Sequence, residues 1–287
     1  MQTTSRRRRV KLSANRKRVN MKLNSKVVVI TGAGNGMGRE MTLEALRRGA
    51  SVFGVDLKAD ALAETAKLAG PDAKFASKAI DITDRAACAA LPAEVIKALG
   101  QVDVLVNNAG IIQPFVFVEE LDFEHIDRVM NVNFNGPLNL IKAFLPELKK
   151  RPEAQIANVS SMGGYGPVPG QSVYGASKAA IKLLTEALRA ELTPTNVHVT
   201  GIFPGAIGTN IAANSGIKMD LPAGTDAPAM KMTAPVDAGR IMIDGIEANA
   251  ARVFVGSDAA MMDKLVRFMP VKSGEIIYNQ MKSILPK

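Results

Sequence analysis

From Lys26 onward, short apolar runs alternate with longer segments in which apolar residues recur every three or four positions. A continuous apolar run bounded by turn residues suits a strand buried on both faces, whereas the wider spacing puts apolar side chains on one face of a helix. The pattern predicts strands near 26–31, 51–56, 74–80, 102–107, 154–160, 196–202 and 252–256. Between them it predicts helices near 36–48, 58–69, 84–98, 122–149, 172–192 and 235–248. Regular alternation of the two element types implies an α/β fold, a doubly wound parallel sheet of about seven strands with helices on both faces.

No internal repeat or linker interrupts this rhythm, so residues 21–287 are expected to form one domain. The rhythm breaks over 206–234, where Gly208, Gly216, Pro222, Gly224 and Pro228 stand among scattered apolar residues. A long irregular insert in a compact domain serves commonly as a lid or binding loop, and this one is read as the substrate loop. The segment 259–287 mixes methionines, charges and apolar residues, as expected of a helix that covers the core or meets another subunit.

Charge changes the picture only at the N-terminus. The net charge is +9, but residues 1–20 hold eight cations and no acid, which leaves the remainder at +1. Like-charged blocks of this kind are usually solvated and disordered, so no nucleic-acid partner is expected. The paired arginines are not followed by the apolar segment of an export signal, and Met21 offers a second start for the folded part. No apolar run approaches the roughly 20 residues of a membrane span. One cysteine, Cys88, allows neither an intrachain disulfide nor a cysteine metal site, so a reducing cytoplasm and no metal are expected.

The first strand runs into a glycine turn and a helix as VVVITGAGNGMGR, residues 27–39. In open α/β sheets this crevice takes nucleotides, with pyrophosphate at the helix N-terminus. Gly32, Gly36 and Gly38 can adopt positive φ or let backbone approach phosphate. The second strand ends at Asp56, 24 residues after Gly32. A carboxylate there accepts from a ribose 2′-hydroxyl and repels a 2′-phosphate, which favours NAD over NADP. Capping of the next helix is the other reading of Asp56. Arg39 and Lys58 are the nearby cations that would suit a phosphate.

TGAGNGMG at 31–38, NNAG at 107–110 and YGASK at 174–178, in this order, resemble the short-chain dehydrogenase/reductase family. The resemblance spans about 21–258 and implies a single-domain, Rossmann-like, NAD(P)-dependent oxidoreductase. It implies cofactor contacts for Asn35 and Met37 in the glycine turn, for Asp81 and Ile82 beside the adenine, and for Asn108, Ala109 and Gly110 along the cofactor. It places Pro204, Gly205, Ile207 and Thr209 near the nicotinamide.

Oxidising an alcohol requires a base for the hydroxyl proton, and a phenol is a poor base at its ordinary pKa of about 10. Lys178, four residues after Tyr174, projects from the same helix face. A cation about 4 Å from a phenolate is worth roughly 4 kcal/mol at an effective dielectric of 20, enough to lower the phenol by about 3 units. Ser161 stands 13 residues before Tyr174, an interval the family shares, and its hydroxyl can donate to the substrate oxygen. Ser160 should face the other way on its strand. The resemblance gives Asn133 in VMNVNFNG the fourth catalytic place, a proton relay from Lys178 through water, with Asn131 and Asn135 as neighbouring alternatives. Tyr165 lines the substrate pocket or packs; His125 and His198 receive no role.

The apolar residues Ile207, Ile211, Ile217, Met219, Leu221, Met230 and Met232 would make a greasy lid, or pack the loop onto the body. The lid reading implies an apolar ketone or alcohol, with Ser161, Tyr165 and Tyr174 at the substrate. The family resemblance implies a homodimer or homotetramer. The alternative to an enzyme is a non-catalytic NAD-binding sensor or scaffold of the same fold, against which the complete Asn133, Ser161, Tyr174 and Lys178 set argues.

Overall fold

The computed structural model describes residues 20–217, 232–282 and 285. Seven parallel strands form one sheet: β1 (Val27–Thr31), β2 (Ser51–Asp56), β3 (Phe75–Ala79), β4 (Val104–Asn107), β5 (Ala154–Val159), β6 (Val197–Pro204) and β7 (Arg252–Val255). Their order is β3-β2-β1-β4-β5-β6-β7, so the chain reverses its direction of winding between β1 and β4. The crevice beyond the carboxyl ends of those two strands is where such sheets take ligands.

The helices are α1 (Gly36–Arg47), α2 (Ala59–Ala69), α3 (Arg85–Leu99), α4 (Phe123–Met130), α5 (Gly136–Leu148), α6 (Ser172–Glu191), the short α7 (Ile211–Asn214), α8 (Pro235–Glu247), α9 (Ser257–Phe268) and α10 (Lys272–Met281). Side chains alternate across β1, and each set meets its own core. Val28 and Ile30 pack with Met41, Met242 and Ile246 of α1 and α8. Val27 and Val29 pack with Leu91, Phe144 and Leu188 of α3, α5 and α6. This two-sided burial accounts for the unbroken apolar run that marked β1 in the sequence.

The helix expected over 122–149 is divided by a π-helical turn at Asn131–Asn135. Such turns widen a helix by one residue and are frequent at functional sites. The segment after β7 holds two helices, α9 and α10, where one covering helix was expected. The N-terminal extension through residue 19 and residues 218–231 of the substrate loop lie outside the described residues, as do Met219, Leu221 and Met230.

Candidate active site

A cavity of about 580 Å³ opens at the switch point. It is lined by Gly32, Asn35, Gly36, Met37, Asp56, Asp81, Ile82, Asn108, Ala109, Gly110 and Thr209, all expected from the sequence. Sequence reasoning gave no such role to Ala61, Arg128, Asn131, Ile211 and Asn214, which also line it. No short motif marks these positions; α2, α4 and α7 deliver them only once folded.

The turn after β1 requires its glycines at particular points. Gly32 has φ +68° and Gly36 has φ +51°, in the left-handed region that side chains rarely adopt. Gly38 serves packing: a β-carbon there would stand 2.0 Å from the Gly32 carbonyl oxygen. Thr31, unassigned from the sequence, ties this turn to the NNAG segment. Its hydroxyl accepts from the backbone N–H of Asn108 and of Ala109, each at 3.0 Å.

The Asp56 carboxylate accepts from Gly34 N at 2.9 Å and from Lys58 N at 3.1 Å. It therefore spans the turn and the start of the next loop, and it does not cap α2 with its side chain. Arg39 is withdrawn from the cavity mouth, donating to the Gly34 carbonyl and to Thr65 Oγ1. Asn108 donates to the Thr31 carbonyl, while its buried side-chain oxygen finds no partner among the described residues. An open cavity, two left-handed glycines, a carboxylate and an orphaned acceptor together fit a dinucleotide.

The proposed reacting side chains converge beside this cavity. Ser161 follows β5, its hydroxyl accepts from Gly163 N at 3.1 Å, and it stands close enough to the Tyr174 phenol to lower its pKa. Ser160 faces away, donating to the Lys178 carbonyl at 2.7 Å. Lys178 is buried one helical turn after Tyr174, its ammonium donating to the Val159 carbonyl at 3.1 Å and lying 5.9 Å from the Tyr174 ring centre.

Burial lowers Lys178 to about 8. The phenol moves opposite to the sequence expectation: burial raises Tyr174, and it is the Ser161 hydrogen bond, not Lys178, that pulls it back. The reason is that solvent is stripped from both groups, so each favours its neutral form.

The π turn aims Asn133 inward, where it is buried and holds the backbone of Ile111 by both N–H and carbonyl, each at 2.9 Å. Asn131 and Asn135 bond to each other at 2.7 Å on the exposed side. Asn133 also donates to Ser177 Oγ, which donates to the Tyr174 carbonyl.

Several expected residues stand elsewhere. The Tyr165 hydroxyl is taken up by the Ala259 carbonyl at 2.7 Å, and its ring packs 5.7 Å from Phe203, so packing describes it and substrate lining does not. Pro204, Gly205 and Ile207 do not line the cavity, and neither do Gly38, Ser161, Tyr174 and Lys178, of which Lys178 approaches it at Gly110. A β-carbon on Gly205 would stand 2.2 Å from the Asp258 carboxylate, whose other contact is Ala206 N at 2.6 Å. Ile207 packs against the core and bridges to Thr233, whereas Met232 is exposed. Among the described residues no cluster of His, Cys, Asp or Glu is placed to hold a metal, and no helix is long and apolar enough to cross a membrane.

The family model described as short chain dehydrogenase matches residues 26–220. SadH of Mycobacterium tuberculosis, whose name describes it as an oxidoreductase, is 36% identical over 251 residues, covering 85% of this chain and 91% of that protein. The 3-oxoacyl-[acyl-carrier-protein] reductase FabG of Thermotoga maritima is 36% identical, covering 66% of this chain and 77% of its own length. Among solved structures, a 3-ketoacyl-(acyl-carrier-protein) reductase from Brucella melitensis complexed with NADH has a TM-score of 0.74 at 28% identity, covering 84% of this chain and 99% of that one. A short chain dehydrogenase from Burkholderia cenocepacia in complex with NADP has a TM-score of 0.74 at 27% identity, covering 93% of this chain and 100% of that one.

Proposed function

Because the chain belongs to the short-chain dehydrogenase family, we propose that it interconverts a secondary alcohol and a ketone with NAD(H), using Tyr174 as general acid and base. The observation that carries this reading is the grouping of Ser161, Tyr174 and Lys178: Ser161 lowers the phenol, Lys178 lies one turn along the same helix, and the Lys178 ammonium stands at Gly110, which walls the cavity.

When bound, the oxidised nicotinamide supplies the hydride acceptor. In the oxidative direction Tyr174 takes the proton of the substrate hydroxyl, and in the reductive direction it returns one to the ketone oxygen. Ser161 accepts from Gly163 N, and its single proton, which otherwise lowers the Tyr174 phenol, can turn to the substrate oxygen as charge develops there. Lys178, with its ammonium fixed on the Val159 carbonyl, opposes the negative charge of the phenolate that forms. Asn133 holds the Ile111 backbone and, through Ser177, the first turn of α6.

NAD is the preferred cofactor in this reading. Asp56 presents its carboxylate where a 2′-phosphate would need a cation, and Arg39 is already engaged by Gly34 and Thr65, which leaves Lys58 at the cavity as the cation that Asp56 must outweigh. Related structures hold NADH or NADP, so the preference rests on these side chains alone. An apolar substrate, a homodimer or homotetramer, a cytoplasmic location and one domain over 21–287 complete the proposal; the single sheet and the exposed Met232 support the last and the first of these.

The test is Tyr174→Phe, assayed by NADH absorbance over a panel of secondary alcohols. Turnover should fall roughly 10²–10⁴-fold, the usual weight of a general acid–base group, while NAD still binds. Undiminished turnover would favour a different proton carrier, and no turnover by the wild type on any alcohol or ketone would favour the non-catalytic alternative.

A further inference from the structure

Helix α6 carries both Tyr174 and Lys178, yet its start has no cap of its own, because the Gln171 side chain bonds none of the first-turn N–H groups. Those groups have no intrahelical acceptor and must find one elsewhere. The acceptor comes from the loop after β4. Gln113 Oε1 takes the N–H of Val173 at 2.8 Å and that of Tyr174 itself at 2.9 Å.

The rest of the Gln113 side chain is also occupied. Its Nε2 donates to the Gly170 carbonyl at 3.2 Å, and Gln171 returns the grip by donating to the Gln113 carbonyl at 3.0 Å. Gln113 is fully buried, uncommon for a long polar side chain unless its hydrogen bonds are met. Earlier in the same loop, Gly110 lies against the Lys178 ammonium. The segment that walls the cavity at Ala109 and Gly110 is thus tied to α6 beside both proposed reacting residues.

We infer that Gln113 is a positioning residue whose amide oxygen, by holding the N–H groups of Val173 and Tyr174, fixes the first turn of α6 and hence the place of the Tyr174 hydroxyl beside the cavity. This rests on Tyr174 being the proton carrier. Gln113 touches neither cavity nor phenol; it acts through the helix backbone. Its loss therefore changes proton transfer and leaves the grip of the glycine turn and Asp56 on the cofactor intact.

The test compares Gln113→Met, which keeps length and loses the acceptor, with Gln113→Glu, which keeps an acceptor oxygen. Gln113→Met should lower kcat roughly ten- to hundredfold, the scale of a small misplacement of reacting groups, with KM for NAD within about twofold of wild type. Gln113→Glu should recover part of that loss toward acid pH, where the protonated carboxyl offers both an acceptor to the helix and a donor to the Gly170 carbonyl. The chain has three tyrosines and no tryptophan, so the Tyr174 titration can be read from tyrosinate ultraviolet absorbance by difference against Tyr174→Phe. Gln113→Met should displace that titration.

A folded Gln113→Met with wild-type kcat and titration would overturn the inference. If Gln113→Met does not fold, Gln113→Asn shortens the reach while keeping the amide, and wild-type kcat there would overturn it equally. Tyr174→Phe separates the two levels: full activity in that variant removes the proton-transfer reading, whereas its inactivity beside a wild-type Gln113→Met removes only the role of Gln113.

Discussion

A β-carbon on Gly110 would stand 3.0 Å from the Lys178 ammonium nitrogen and 3.2 Å from the Asn133 side-chain oxygen. Three separate elements, the loop after β4, the π turn and α6, therefore meet at a point where the backbone carries no side chain. The same glycine walls the cavity, so the space a side chain would fill lies between the proposed cofactor site and the proposed proton carriers.

Gly110→Ala follows directly from that geometry. The backbone there is not left-handed, so alanine brings no conformational strain. The new methyl group meets two buried, hydrogen-bonded groups, the Lys178 ammonium and the Asn133 oxygen, so stability should fall by about 1–3 kcal/mol. Displacing the ammonium by a few tenths of an ångström should also lower kcat by roughly tenfold or more. Urea denaturation read beside steady-state kinetics checks both halves; equal activity would show that Lys178 has room to spare.

The division between what could be read in advance and what could not follows physical range. Strands β1, β2, β4, β5 and β6 and the glycine turn were legible because burial on both faces leaves apolar runs and because left-handed backbone calls for glycine, whereas the half-exposed β3 was placed by the alternation of strands and helices. The placing of Tyr174 and Lys178 one turn apart on a helix was legible from the YGASK motif with Ser161 thirteen residues before it, since spacing alone recurs on many helices. The π turn was not, since it leaves no compositional mark, and with it the inward rotation of Asn133 among three similar asparagines was hidden. Thr31 and Gln113 act across loops distant in sequence, and Tyr165 was decided by the Ala259 carbonyl, which comes from α9. The direction of the Tyr174 shift depended on burial, which charge spacing alone does not reveal.

Asp56→Ala should alter cofactor choice. The variant loses the acceptor of the Gly34 and Lys58 N–H groups together with the charge that repels a 2′-phosphate. The ratio of kcat/KM for NADP to that for NAD should rise by about tenfold or more, since each 1.4 kcal/mol of differential binding is worth that factor. The gain should come through Lys58, which lines the cavity, since Arg39 stays committed to Gly34 and Thr65. An unchanged ratio in paired titrations with the two cofactors would remove Asp56 from cofactor selection.

Asn133→Ala should cost stability as well as activity. It leaves the Ile111 N–H and carbonyl without their partner and frees Ser177 Oγ from one of its bonds. Unmet buried polar groups of this kind cost about 1–3 kcal/mol each, so a loss of roughly 2–4 kcal/mol is expected. Turnover should fall in the same variant while folded, because the Ile111 backbone adjoins Gly110 and the freed Ser177 contacts the Tyr174 carbonyl. Chemical denaturation with a wild-type midpoint would show that the asparagine clamp carries no weight.

Lys178→Met should separate function from stability. Burial holds Lys178 at about 8 against an ordinary 10.5, so the fold favours its neutral form. For a base lowered in this way, the cost of burying charge is fully present below about pH 8 and is relieved as pH rises toward 10.5. The cost at neutral pH is about 3 kcal/mol, offset in the variant by loss of the bond to the Val159 carbonyl, about 1 kcal/mol. The variant should therefore be inactive yet more stable than wild type at pH 7, and its advantage should shrink across that alkaline window. Urea unfolding of both proteins at a series of pH values measures the difference, in which other titrating groups cancel. A gap that does not vary with pH would mean that Lys178 is charged at no cost in the folded protein, and that its ammonium is held by more than the Val159 carbonyl.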